Sequence, residues 1–163
     1  MPQFTEMRRP ALWDESRSRP SAAGGSAPAV PPRTVVLGYD GSEDGRSAAF
    51  RAAEAAGSGG RILVVASVPS PSATELEREE ASVGNPEHLL QEAKTLLGSG
   101  DAAVTTRLAE GDPVDALVAA ASETNADLIV VGARGRSFPA RTLRGAVAQR
   151  LVGRAPCPVL VAR

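Results

Sequence analysis

Residues 127–163 contain the sequence DLIVVGARGRSFPARTLRGAVAQRLVGRAPCPVLVAR, and this stretch decides the fold. Residues 128–131 form a short apolar run rich in branched side chains, typical of a strand buried on both faces of a parallel sheet. Gly132 ends that run, and after a loop Gly145 begins an apolar segment with helical spacing. Two prolines end the helix, and another apolar run follows. The order is strand, glycine loop, helix, strand.

The helix after the loop is predicted to place Val147, Leu151 and Val152 on one face, because they fall at i, i+4 and i+5. The first N–H groups of such a helix have no partner within it, and they favour an anion in the preceding loop. No Asp or Glu follows Asp127, whereas arginine is frequent there. A phosphate is therefore the simplest ligand. The arginines also fit a solvated face, and Arg134 and Arg144 are the candidates for a phosphate contact.

Composition indicates one soluble domain with an ordinary core. The chain has 163 residues, 42% of them hydrophobic, and a formal net charge of −1. Such a balance gives no overall field toward nucleic acid or a membrane surface, so neither is expected as a partner. The sequence contains no run of about 18 apolar residues, the length typical of a transmembrane helix.

The single cysteine, Cys157, excludes an internal disulfide and fits a reducing compartment. The N-terminus contains arginines without the apolar stretch of a signal peptide, so we expect a cytoplasmic protein. Residues 1–32 alternate charges and then become small and proline-rich, a composition that cannot bury enough apolar surface to offset its ordering entropy. We expect a disordered tail over 1–32 and a single domain over 33–163.

Strands and helices alternate along the predicted domain. Strands are predicted at 34–39, 62–68, 102–109, 128–131 and from 157 or 159 onward, and helices at 43–56, 87–97, from 113 and from 145. Such alternation predicts a five-stranded parallel sheet with helices on both faces and right-handed crossovers. Ligands of these sheets bind outside the carboxyl ends of the strands where strand order reverses. Asp40 and Gly132 therefore mark the expected rims of a site.

Local signals place the helix starts. Asp112 is predicted as an N-cap with Pro113 at the first helical position, and Ser42 or Asp44 as the cap of the first helix. Residues 69–85 contain three turn-breaking residues and are predicted to form a connection that borders a site.

Several phosphate sites are excluded by their motifs. The chain lacks GxxxxGK[ST], and its only lysine is Lys94, in a predicted helix. No GxGxxG follows a strand. A response regulator would need an acidic pair after the first strand and a lysine after the fifth, but Asp40 stands alone and no lysine follows. The DGSED turn at 40–44 also differs from the SGGxDS loop of pyrophosphatase-type enzymes.

Three glycines remain, Gly132, Gly135 and Gly145, spaced as G-x2-G-x9-G. With VVLGYDGSEDG at 35–45, GDPVDAL at 111–117 and APCPVLVAR at 155–163, this pattern resembles the universal stress protein family. The resemblance covers residues 34–163. The nucleotide motif of the family continues with Ser or Thr, where this chain has Ala146.

The resemblance implies a Rossmann-like, adenine nucleotide alpha hydrolase-like α/β fold with strand order 3-2-1-4-5, commonly a homodimer. ATP-binding members hold the nucleotide between the ends of strands one and four. By position, Asp40 would contact the ribose, with Gly38 beneath it, and Val68 the adenine. The phosphate contacts implied by position are Val131, Gly132, Gly135, Gly145, Ala146 and Val147.

Local alternatives stay open for these residues. Asp40 also fits an ordinary Asp-Gly turn, and the glycines also fit turns, although the matched spacing favours a site. Ala146 lacks a hydroxyl, and a hydrogen bond to a charged group is worth about 1.5–3 kcal/mol, or roughly ten- to a hundredfold in affinity. The main-chain N–H remains at that position.

The sequence favours a binding protein over an enzyme. No catalytic residue or metal ligand is predicted; His88 is interpreted as a surface residue and Cys157 as a small buried hydrophobe. The first hypothesis is a stress-response protein that binds ATP, with or without Mg²⁺, or another adenine nucleotide and acts as a switch recognised by an unidentified partner protein. The alternatives are a nucleotide-free homodimeric scaffold that pairs through the strand at 157–162, and a slow ATP hydrolase.

Deletion of residues 1–32 is expected to leave the melting temperature unchanged, because a tail without core contacts adds nothing to the folded state. The measurement is a thermal unfolding scan of the full-length and shortened proteins at equal concentration. A large drop in the melting temperature would refute the tail assignment.

Overall fold

The computed structural model describes residues 33–74, 85–98, 100–135 and 146–163, and the predicted tail lies outside these ranges. The strands are β1 Thr34–Gly38, β2 Arg61–Val68, β3 Ala103–Glu110, β4 Leu128–Gly132 and β5 Val159–Ala162. The helices are α1 Glu43–Ala56, α2 Pro86–Leu97, α3 Pro113–Thr124 and α4 Ala146–Val152. The predicted alternation of strands and helices is confirmed.

All five strands belong to one parallel sheet in the order β3-β2-β1-β4-β5. β1 lies at its centre, where Val35 pairs with Ile62 of β2 and with Leu128 of β4. The predicted strand order 3-2-1-4-5 is therefore confirmed. The chain moves outward from β1 in both directions, so the strand order reverses between β1 and β4.

The helices cover the two faces of the sheet in pairs. Val35 and Leu37 of β1 pack in the core formed with α1 and α2, whereas Val36 packs in the core formed with α3 and α4. This division follows from the strand geometry, because successive side chains of a strand point to opposite faces. The central strands are buried on both sides, as their continuous apolar sequence predicts.

Helix α1 packs closely because its inward stripe is made of alanine. The buried members of this stripe are Ala48, Ala49, Ala52 and Ala56. Small side chains let a helix backbone lie near the sheet, and α1 contacts both β1 and β4. The first turn of α1 is thereby brought to the carboxyl ends of these two strands.

Each long helix begins at a polar side chain that accepts hydrogen bonds from the first turn. Ser42 accepts from the Gly45 N–H, as one of the two predicted alternatives proposed. Asp112 accepts from the N–H groups of Val114 and Asp115, as predicted. Asn85 caps α2, so Pro86 is the first residue of that helix, one residue before the predicted start at 87.

The prediction for the inward face of α4 is wrong at one residue. Leu151 is fully buried, but Val152 is 70% exposed, and the second buried position is Ala148. α4 has seven residues, so its inward stripe is the i, i+3 pair formed by these two buried residues. Val147 is half-buried and packs at the side of the same core.

The last strand begins at the later of its two predicted starts. β5 covers Val159–Ala162, whereas the prediction placed a pairing strand over 157–162. Pro158 precedes the strand and lacks an N–H, and only its carbonyl takes part, by accepting from Ile129. Within the described ranges, no helix has the length and apolar content needed to cross a bilayer.

The substitution Leu151→Ala is expected to lower the free energy of unfolding by about 2–5 kcal/mol, because it opens a cavity under α4. Val152→Ala, one residue later and exposed, is the matched control and is expected to change it by less than about 0.5 kcal/mol. Equilibrium unfolding in denaturant measures both. Equal losses for the two variants would contradict the orientation of α4.

Candidate functional site

Asp40 follows β1 and is fixed by the turn that starts α1. Its Oδ1 accepts hydrogen bonds from the Ser42 main-chain N–H at 3.0 Å and from the Ser42 hydroxyl at 2.6 Å. The Ser42 oxygen in turn accepts from Gly45 as the helix cap. The Ser42 side chain therefore both orients Asp40 and caps α1. The Asp40 carboxylate is held in one direction at the carboxyl edge of the sheet.

The glycine loop after β4 lies against this carboxylate. A Cβ atom added to Gly135 would be 3.1 Å from Asp40 Oδ2, so a side chain at this position would crowd the carboxylate. The carbonyl oxygen of Arg134 is 3.2 Å from the Ser42 hydroxyl oxygen. The structure thus brings together Asp40 and Gly135, which are 95 residues apart in the sequence (135 − 40).

Gly132 has a packing role at the end of β4. An added Cβ there would lie 2.9 Å from both the Asp44 carbonyl carbon and the Gly45 nitrogen, which are main-chain atoms that cannot rotate away. The absent side chain allows the first turn of α1 to approach β4. Gly132 therefore sets the distance between the loop and the helix, whether or not a ligand is present.

Arg134 is bound to Asp44 in the first turn of α1. Its main-chain N–H and its Nε both donate to Asp44 Oδ2, at 3.0 and 2.9 Å, and its Nη2 donates to Oδ1 at 3.1 Å. The Arg134 hydrogen bonds hold the pKa of the Asp44 carboxyl below its ordinary value, although burial acts in the opposite direction. The Arg134 side chain remains 57% exposed.

Two ion pairs attach α4 and the turn that follows it to the start of α3. Arg150 donates to Asp112 Oδ2 at 2.7 Å, and Arg154 lies 2.6 Å from Asp115. Burial raises the pKa of Asp112, but the bonds from Arg150 and from the helix N–H groups outweigh it, so the net shift is downward. The Asp112 carboxylate therefore caps α3 and binds α4 at the same time.

A family model described as the universal stress protein family matches residues 32–163. The chain belongs to the universal stress protein family. A universal stress protein of Thermus aquaticus is 39% identical over 137 residues, which are 80% of this chain and 98% of that protein.

Solved structures of universal stress proteins share the fold. One, in complex with cAMP, is 30% identical with a TM-score of 0.64 and covers 80% of this chain and 97% of its own. Another, from Archaeoglobus fulgidus in complex with dAMP, is 24% identical with a TM-score of 0.58 and covers 81% and 97%. The second similarity concerns the fold alone.

The remaining predicted site residues of this universal stress protein lie on several elements. Gly38 ends β1, and an added Cβ there would lie 3.0 Å from Val131 and 3.1 Å from Leu117. The absence of a side chain at Gly38 therefore lets α3 pack against the end of β1. Val131 is buried beside Gly38, and Val68 ends the neighbouring strand β2. Ala146 and Val147 begin α4. Gly145 lies outside the described residues.

Tyr39, Arg46 and Glu92 lie together on the side of the sheet that α1 and α2 cover. Arg46 of α1 pairs with Glu92 of α2 at 2.8 Å. The adjacent hydroxyl of Tyr39 is buried and makes no hydrogen bond within the described ranges. Burial, together with the neighbouring Glu92 carboxylate, raises the pKa of Tyr39 to about 12. Burial also raises the pKa of Glu92, but the neighbouring Arg46 and Tyr39 outweigh it, so the net shift is downward.

Sequence reasoning did not find the partnership of Asp44 with Arg134 or that of Asp112 with Arg150. Asp44 was predicted only as a possible helix cap, but Ser42 is the cap and Asp44 is buried beneath the loop. The sequence signal for the Asp44 partnership is a second acidic residue in the first turn of α1. Acidic residues are favoured there by the helix dipole in any case, so this signal does not point to Arg134.

His88 and Cys157 belong to other elements than the loops that follow β1 and β4. His88 is exposed on α2, as predicted, and Cys157 is half-buried before β5, where burial raises the pKa of its thiol. In the described part of the chain, no three acidic, histidine or cysteine side chains converge closely enough to hold a metal ion.

Proposed function

We propose that this universal stress protein binds an adenine nucleotide at the carboxyl ends of β1 and β4 and acts as a non-catalytic regulatory switch in the cytoplasm. The observation that carries the proposal is the placement of Gly135 directly against the Asp40 carboxylate. A carboxylate can accept hydrogen bonds from two ribose hydroxyls, and a glycine loop lets phosphates approach the main chain.

The phosphate end of the ligand would lie along the loop at 132–135 and the start of α4. The N–H groups of Ala146 and Val147 belong to the first turn of α4, where helical N–H groups have no partner within the helix. The remaining proposed contacts are Gly38, Val68, Val131, Gly132, Arg134 and Gly145. The related protein in complex with cAMP supports an adenine ring as the ligand class.

ATP is the proposed nucleotide, and a Mg²⁺ ion would be held by its phosphates, since the described side chains offer no metal site of their own. The proposed switch consists of a change in the loop or in a dimer that a partner protein recognises. A slow hydrolysis of ATP would need a positioned water, and neither His88 nor Cys157 belongs to the loops that follow β1 and β4.

Calorimetric titration with Mg-ATP is expected to show binding by the native protein and about ten- to a hundredfold tighter binding by Ala146→Ser, which restores one hydrogen bond to a phosphate. Parallel titrations with cAMP separate recognition of the nucleoside from recognition of the triphosphate. Binding by Ala146→Ser alone would indicate a pocket that lacks its phosphate contact.

Gly135→Val is the control for the location of the site. Its Cβ would press on Asp40 Oδ2, a side-chain atom, so the fold is expected to survive while ATP affinity falls at least about tenfold. Gly132 is unsuitable as a control, because its added side chain would meet the α1 backbone. Unchanged ATP binding by Gly135→Val would refute the site, and absence of binding by both native protein and Ala146→Ser would refute the proposed function.

A second candidate function, a homodimeric scaffold, is favoured by β5. This strand is at the sheet edge, and its Leu160 and Val161 are 38% and 41% exposed. An exposed apolar edge strand is suited to pairing with a second copy.

Val161→Glu is expected to convert a dimer to monomers, because it buries an unpaired charge in the proposed interface. Val152→Glu, an equally large charge change at an exposed residue of α4, is the matched control and should leave the dimer intact. Light scattering coupled to size exclusion gives the mass of each. A dimer that persists in Val161→Glu would exclude β5 as the interface.

A further inference from the structure

The carboxylate of Asp44 is the buried charge of the described core. Its side chain is 5% exposed, and the three hydrogen bonds described for it all come from Arg134. A buried carboxylate is stable only when it is paired and hydrogen-bonded. Arg134 supplies both requirements, so the two residues form one unit, the Asp44–Arg134 pair.

This pair connects two parts of the chain that local sequence does not connect. Asp44 belongs to the first turn of α1, and Arg134 to the loop after β4. One oxygen of Asp44 accepts from both the main chain and the side chain of Arg134, so it fixes the position of the loop and the direction of the guanidinium together. The loop then contacts the β1–α1 segment at Gly132, at Arg134 and at Gly135.

We infer that Asp44 is a positioning residue for phosphate recognition, which holds the loop at 132–135 and the Arg134 guanidinium toward the polyphosphate. The inference rests on the proposed function and deepens it. The Arg134 side chain is more than half exposed while paired, so its outer edge can meet a phosphate without leaving Asp44. Release of Arg134 would leave a buried carboxylate without its partner, so the pair is retained when ligand binds.

If Asp44 opposed phosphate binding, neutralising it would change ATP affinity in the other direction. If Asp44 held Arg134 away from the ligand, its neutralisation would free a cation and remove a nearby negative charge, and both changes would strengthen ATP binding. If Asp44 positions Arg134, the same neutralisation loosens the loop and weakens ATP binding. The direction of the change therefore distinguishes the two roles.

The experiment titrates Asp44→Asn with ATP, AMP and adenosine. ATP affinity is expected to fall about tenfold, within the range found for contacting charged pairs, while adenosine affinity changes less than about twofold, since adenosine has no phosphate. Glu43→Gln is the matched control, because it removes the same charge from the adjacent, exposed residue of the same helical turn. Glu43→Gln is expected to bind ATP and adenosine with the affinities of the native protein.

The cycle of Asp44→Asn with Arg134→Gln tests whether the two residues act through each other. The double variant is expected to bind ATP about as weakly as Arg134→Gln alone, because Asp44 has no effect once its partner is absent. Additive losses would overturn the inference. It would equally be overturned by tighter ATP binding in Asp44→Asn, by unchanged binding, or by equal losses for ATP and adenosine.

Amide hydrogen exchange in the ligand-free proteins keeps this test separate from the proposed function. The Arg134 N–H is expected to exchange faster in Asp44→Asn than in Glu43→Gln, because the bond to Asp44 protects it. If the native protein binds no nucleotide, the proposed function fails, and the phosphate role of Asp44 fails with it. If nucleotide binds but exchange at Arg134 is the same in both variants, the positioning role alone is overturned.

Discussion

The parallel pairing of β1 with β4 is the constraint on which the remaining structure depends. Both strands are buried on both faces, so helices must cover each face of the sheet. After β1 the chain continues to α1 on one face, and after β4 it continues to α4 on the other face. Because these two connections lead to opposite faces, they separate at the carboxyl edge of the sheet and leave a gap between them. The position of the candidate site is thus a result of strand order. Its chemistry comes from the few residues that follow the two strands.

Small residues keep the first turn of α1 close to the end of β4. Alanines let α1 lie close to the sheet, and Gly132 lets the first turn of α1 meet the end of β4. At that distance a carboxylate of α1 and a guanidinium of the opposite loop are close enough to pair. Close packing and charge pairing are therefore parts of one arrangement: the glycine permits the approach, and the ion pair gives it a defined orientation.

The sequence predicted those features that local spacing or elementary topology determines. Periodicity gave all five strands and four helices, and the Asp-Pro signal at Asp112 gave both a cap and a helix start. The placement of Asp40 near the loop that follows Gly132 was predicted from strand order. The bond between Asp44 and Arg134 was not predicted, because it joins residues 90 apart whose side chains look individually like ordinary surface charges. Val152 was misplaced because a helix of seven residues is too short for its periodicity to fix a face.

The buried environment of Tyr39 has an optical consequence. Tyr39 is the only tyrosine in the chain, and it directly precedes Asp40. Its hydroxyl, with a pKa raised to about 12, ionises only at alkalinity well beyond that of a solvent-exposed phenol. The ultraviolet absorbance change of tyrosinate formation therefore originates at one place, the α1–α2 side of the strand edge. The alkaline absorbance change of Tyr39 therefore reports on the burial of this one hydroxyl in the core beneath α1 and α2.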